Sequence, residues 1–158
     1  MVFRRSKMSE LAKIVTFESS DDIPSQADLD WAFPKISSGM EPFGGRIIVQ
    51  LRRIKKKTER IVLVQETKDN EKWNNMIGKV IAVGPLAYKN RDTMQSWPEG
   101  SWAQVGDYVR VPKWGGDRWE IKVPEGDRDD DPVLFMTLND HELIARVVAN
   151  PLSFKAYV

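Results

Sequence analysis

From Phe43 onward the chain is written in short apolar alternations separated by glycine and proline. GGRIIVQL puts Ile47, Val49 and Leu51 on one face at a spacing of two, the period of a half-buried strand. MIGKVIAVGP follows, with Ile77, Lys79, Ile81 and Val83 set against Val80 and Ala82 and a stop at Gly84-Pro85. VGDYVRVPKWGG turns at Gly106-Asp107, then sends Val109 and Val111 one way and Tyr108 and Arg110 the other. RWEIKVP alternates Trp119, Ile121 and Val123, and PVLFMTL is apolar at almost every position, as expected of a strand covered on both faces. The run Asn139-Asp140-His141-Glu142 has the form of one capped turn leading into a closing strand, LIARVV. Many short strands without a long helical period predict an all-β protein, a small irregular barrel or sandwich.

The first 41 residues have a different texture. Polar clusters such as SSDDIPSQAD and KISSGMEP interrupt any long period, and one short helix is expected. Ser25 is its N-cap, Asp28 lies three residues on, Leu29 and Trp31 follow, and Pro34 ends it. The expected organisation is an N-terminal arm over 1–41 with short helical turns, a β-domain over 42–150 and a C-terminal tail over 151–158. Trp31 and Phe33 are the expected anchors of the arm, on its own barrel or on a neighbour. The segment 85–104 is long for a connector, so it is either functional or a hairpin in its own right. Its Tyr88, Trp97 and Trp102 exceed what a solvated tip requires, and they are read as candidate subunit or partner contacts.

Composition narrows the function classes. A formal net charge of +1 argues against a generic nucleic-acid binder, which usually presents a strongly basic face. Charge is nonetheless uneven: residues 52–60 carry six Lys or Arg against Glu59, and residues 125–131 carry five acids against Arg128. Both runs read first as solvated loops, and docking between subunits is the alternative. The absence of cysteine excludes a disulfide framework and suggests a reducing compartment. No apolar run approaches the roughly 18 residues that would span a bilayer, and MVFRRSKMSELAK lacks the apolar core of a signal peptide. A cytoplasmic protein with no membrane contact is the expectation.

Catalytic chemistry finds little support. The single histidine, His141, falls in the capped turn, where a structural role is expected; with no cysteine, a zinc site would have to rest on carboxylates. Asp127 to Asp131 run straight into Pro132-Val133, without the glycine and glutamate of an EF-hand. Gly44-Gly45 and Gly115-Gly116 open no helix, so they are turns and not phosphate cradles. No enzyme, no cofactor and no metal are expected. Arg52, Arg53 and Lys55–Lys57, with Trp114 and Trp119 as stacking platforms, also admit an OB-like nucleic-acid binder. That is the third reading, disfavoured because the aromatics and the basic run lie in different segments.

Taken in order, these blocks resemble the GroES-type co-chaperonin family over about residues 42–148. The resemblance rests on PFGGRIIVQL, a loop bearing Ile61-Val62-Leu63, IGKVIAVGP, a long hairpin, VGDYVRVPKWGG and VLFMTLNDHELIARV. It implies a GroES-like irregular β-barrel with a hairpin roof over 85–104 and a homo-oligomeric ring, of seven subunits in the family. It also implies a loop that is mobile in the free ring and orders on a GroEL-like chaperonin. There the tripeptide enters a groove between two helices of the apical domain, so Ile61, Val62 and Leu63 are the implied chaperonin-binding residues. ATP hydrolysis belongs to the chaperonin. Two features depart from the family pattern. The run IVLV is flanked by Lys57–Arg60 and Gln65–Thr67 without glycine, so it reads equally as a strand. The arm, the acidic insertion at 125–131 and the tail NPLSFKAYV lie outside the compact pattern and suggest a divergent, phage-encoded member. On that origin a client could be a capsid protein. The alternative is a virion decoration or cement protein on the same fold, with the major capsid protein as its partner.

Overall fold

The computed structural model describes residues 23–53, 76–123 and 132–154. Ile61, Val62 and Leu63 and the acidic run 125–131 lie outside the described residues. The first element among the described residues is a helix, α1 (Gln26–Ala32), in the place the arm's capping pattern predicts. The Ser25 hydroxyl accepts from the Asp28 backbone N–H at 3.1 Å, which satisfies one of the donors that every helix start leaves open.

Six strands follow among the described residues: β1 (Arg46–Leu51), β2 (Ile77–Val83), β3 (Tyr108–Arg110), β4 (Asp117–Ile121), β5 (Val133–Asn139) and β6 (Ala145–Arg146). They form one antiparallel sheet in the order β4-β5-β1-β2-β3-β6. A three-residue 3₁₀ turn, Asp140–Glu142, links β5 to β6, and Glu142 reaches back to Asn139 as the capping pattern anticipates. β6 is shorter than the letters LIARVV suggest, because only two residues join the ladder. Ile144 N–H to Arg110 and Val147 N–H to Tyr108 extend the pairing at either end.

Alternation sorts the strands onto two cores. Ile47, Val49 and Leu51 of β1, Val109 and Val111 around β3, and Leu134, Met136 and Leu138 of β5 share the larger one. Ile48, Val133 and Phe135 point to the other face, where Ile36 of the arm and Trp119, Ile121 and Val123 cover them. β1 and β5 are therefore buried on both sides, which is why PVLFMTL carries no polar face.

β2 departs from the simple alternation. Ile48 pairs with Ala82 but Val49 pairs with Val80, so Ile81 is an extra residue in the ladder, a β-bulge. The bulge shifts the phase: Val80 and Val83, three apart, both pack on the larger core, while Ile81 and Ala82 face the smaller one.

The arm is a strap across the smaller core. Gln50, a buried amide in an otherwise apolar strand, donates from Nε2 to Pro34 O at 2.8 Å. Trp119 Nε1 donates to Ser38 O at 2.8 Å, and Trp119 stacks on Phe135 with centroids 5.9 Å apart. No buried side-chain polar atom among the described residues lacks a partner.

Candidate partner-docking site

β1 and β2 run side by side to the place where segment 54–75 begins and ends. Leu51 pairs with Gly78, the Arg52 N–H donates to Ile77 O at 3.0 Å, and the Val111 N–H donates to Met76 O at 2.8 Å. The segment carrying Ile61, Val62 and Leu63 thus leaves and rejoins the sheet at one end. Ile121 and Val133 pair at that same end of the neighbouring β4–β5 ladder, so segment 124–131 joins there too. Gly78, the first letter of GKVIAVG, is demanded by the closeness of the stem strands. A Cβ there would lie 2.3 Å from Val49 Cγ1 and 2.9 Å from the Gln50 carbonyl.

Two arginines occupy the β1 side of the stem. Arg52 donates from Nη1 to Pro151 O at 2.8 Å, tying the tail to the barrel, and burial lowers its pKa to about 10. Arg53 donates from Nε to Trp31 O at 2.8 Å, and its guanidinium lies 4.6 Å from the centre of the Trp31 ring. On the other side the Arg110 guanidinium reaches Met76 Sδ at 3.9 Å. Arg52 and Arg53 are 8% and 6% exposed, so the backbone-tracking role of the nucleic-acid reading is closed to them. Trp119, half-buried against Phe135, is likewise no free stacking platform; Trp114 is 78% exposed, with the Lys113 ammonium 5.4 Å from its ring centre.

The segment 85–104 folds as a small hairpin of its own. Lys89 and Ser96 form a bridge, Trp97 N–H donates to Tyr88 O at 2.9 Å, and Asn90 N–H donates to Gln95 O at 2.7 Å. Tyr88, Trp97 and Trp102 pack on one another with centroids 5.2–5.7 Å apart and close the larger core. Their rings are engaged within the chain, Tyr88 completely and the two tryptophans in part. Phe33 is buried and meets Tyr108 at 5.2 Å, and Trp31 is half-covered under Arg53. All five aromatic candidates therefore have partners inside the subunit.

What the sequence reading missed is Asp140. Its carboxylate accepts from the Tyr88 N–H at 2.8 Å and the His141 N–H at 2.8 Å, and its carbonyl accepts from the Tyr88 hydroxyl at 3.1 Å. This holds Tyr88 at φ 58°, a conformation disfavoured for a side chain with a Cβ, and so fixes the root of the hairpin. Burial first, then the Asp140 charge, push the Tyr88 phenol up to about 12. The only available signal was an aspartate inside a cap motif, and nothing in the letters points 52 residues back. His141 itself is largely exposed on this turn.

Among the described residues no three His, Cys, Asp or Glu side chains gather to hold a metal ion, and no helix is long and apolar enough to cross a membrane. An all-β scaffold with two buried cores, a hairpin over one end and a long segment anchored at the other is the framework of a co-chaperonin. Consistent with this, the profile of the family described as "Chaperonin 10 Kd subunit" matches residues 39–145, about two thirds of the chain. The chain belongs to the chaperonin 10 kDa subunit family. Members act as non-enzymatic, ring-forming partners of a GroEL-like chaperonin, and a co-chaperonin role in general follows for this chain. No curated protein matches the sequence.

Proposed function

We propose that this protein forms a homo-oligomeric ring in the cytoplasm. The ring caps an ATP-driven chaperonin through Ile61, Val62 and Leu63 and so assists folding of the enclosed client. The observation that carries the reading is positional. The tripeptide lies inside the family match and between the paired ends of β1 and β2, whose stem is tied down by Arg52, Arg53 and Met76.

Magnitudes make the ring part of the mechanism. Burying three aliphatic side chains is worth about 1.5–3 kcal/mol each. Ordering a segment costs roughly 1–2 kcal/mol per residue fixed. One tripeptide is a weak ligand, and simultaneous engagement from a ring converts it into a useful one.

An ATP-dependent pull-down on a GroEL-like chaperonin tests this with wild type, Leu63→Ala and Val62→Asp. Wild type is retained and both variants are lost or strongly weakened. Equal retention of all three, or of none, defeats the proposal. A virion-decoration role makes the opposite prediction, co-purification with particles and an assembly other than a free ring.

A further inference from the structure

The residue that ends the β1 side of the stem also caps the arm helix. α1 has no basic residue in its last turn, although the final carbonyls of a helix lack intrahelical donors and favour a cation. Arg53 supplies what is missing. Its backbone N–H donates to Ala32 O at 2.9 Å, its Nε donates to Trp31 O at 2.8 Å, and its guanidinium covers the Trp31 ring. The adjacent Arg52 N–H makes the bond to Ile77 O that closes the stem. A second contact reaches the other strand through its neighbour: Phe33, the residue after α1, packs on Tyr108 of β3, which pairs with Lys79 of β2. The arm therefore holds the end of β1 directly and reaches β2 only by way of β3.

We infer that Arg53 is a positioning residue for the partner segment. Through it α1 fixes the point at which the chain leaves β1, so order in the arm and affinity for the chaperonin are coupled. The affinity half of this inference rests on the proposed function; the coupling of arm to stem does not. A stem held in place before binding leaves less to be ordered on binding, which strengthens association by pre-organisation. Every subunit of a ring carries the same device, so a modest effect per subunit compounds.

The test combines amide hydrogen exchange of the full-length ring with chaperonin binding in the presence of ATP. The proteins are wild type, Ser25→Ala, Arg53→Gln and Arg53→Lys. Ser25 caps the far end of α1, so Ser25→Ala loosens the helix without touching the stem, by about 2- to 30-fold in its opening equilibrium. The expected result is faster exchange at Leu29 in α1 and Phe33 just after it and, with it, at Arg52 and Arg53 in the stem, together with weaker chaperonin binding. Arg53→Lys keeps a cation at the Trp31 carbonyl and recovers part of the binding that Arg53→Gln loses. Faster exchange in α1 with an unchanged Arg52 amide overturns the inference, as does an Arg53→Lys variant no better than Arg53→Gln. If Arg53→Gln fails to fold, Ser25→Ala and Arg53→Lys decide the matter. A wild-type ring that never binds a chaperonin removes the proposed function, while the exchange data still decide whether arm and stem are coupled.

Discussion

Replacing Asp140 with alanine puts the root of the 85–104 hairpin to a quantitative test. In the native protein the carboxylate is 7% exposed and receives the Tyr88 N–H, in the buried core, and the His141 N–H, nearer the surface. A hydrogen bond to a charged acceptor is worth about 1.5–3 kcal/mol, and the abandoned Tyr88 donor is too deep for water to replace the acceptor freely. The His141 N–H sits on an exposed turn and adds little. Asp140→Ala should therefore destabilise the protein by about 1.5–3 kcal/mol. Asp140→Asn, which keeps one acceptor oxygen, should lose about half as much. Urea unfolding at fixed protomer concentration measures this, because ring assembly makes apparent stability depend on concentration. An Asp140→Ala midpoint equivalent to less than about 0.5 kcal/mol from wild type, the range of ordinary surface changes, would refute the reasoning.

Four further outcomes concern the glycine turns and the hairpin aromatics. Gly84→Ala should prevent folding or cost upwards of about 3 kcal/mol, since a Cβ would lie 2.2 Å from the Gly44 carbonyl and 2.8 Å from the Arg46 carbonyl, both main chain. Gly106→Ala, with open space but φ +99°, should lose only about 1 kcal/mol, and soluble yield with thermal melting compares the two. Trp97→Ala removes edge-to-face contacts with Tyr88 and Trp102 at 5.2 and 5.4 Å, and about 2–3 kcal/mol should be lost from this half-buried site, read by urea unfolding. Tyr88 gives an alkaline signature. Its folded pKa is about 12 against an ordinary 10, so its contribution is complete below pH 10 and is lost as pH rises to 12, about 2–3 kcal/mol in all. Tyr88→Phe should flatten that part of the stability–pH curve, and an unchanged slope between pH 10 and 12 would show the assignment to be wrong.

How far the letters carried the fold depends on the range over which each feature is decided. α1 was legible because its cap is local: Ser25 and Asp28 are three residues apart and do in the structure what the spacing requires. β1 and β5 were legible because burial on one or both faces writes itself into alternation or its absence. β2 misled because the bulge at Ile81 is set by its register against β1, and a phase shift in mid-strand leaves no mark in a period-two pattern. The strap across the smaller core was hidden because residues 34–40 bind through main-chain carbonyls, Pro34 to Gln50 and Ser38 to Trp119, which any sequence possesses. Gln50 was the available hint, since an amide amid apolar strand letters needs a partner on whatever covers it. Arg52 and Arg53 illustrate the reverse error. They head a basic run and read as solvated, yet the arm and the tail bury them. The aromatic surplus of 85–104 was recognised, and most of it serves the hairpin's own attachment to the core.

The proposed role of the scaffold is to present Ile61, Val62 and Leu63 to a chaperonin. Co-sedimentation of the purified ring with a GroEL-like chaperonin, with and without ATP, tests it most directly when wild type and Val62→Asp are run side by side. Both proteins should assemble into the same ring, and only wild type should travel with the chaperonin, and only with ATP. A Val62→Asp ring that travels equally well, or a wild-type ring that stays behind, would contradict it.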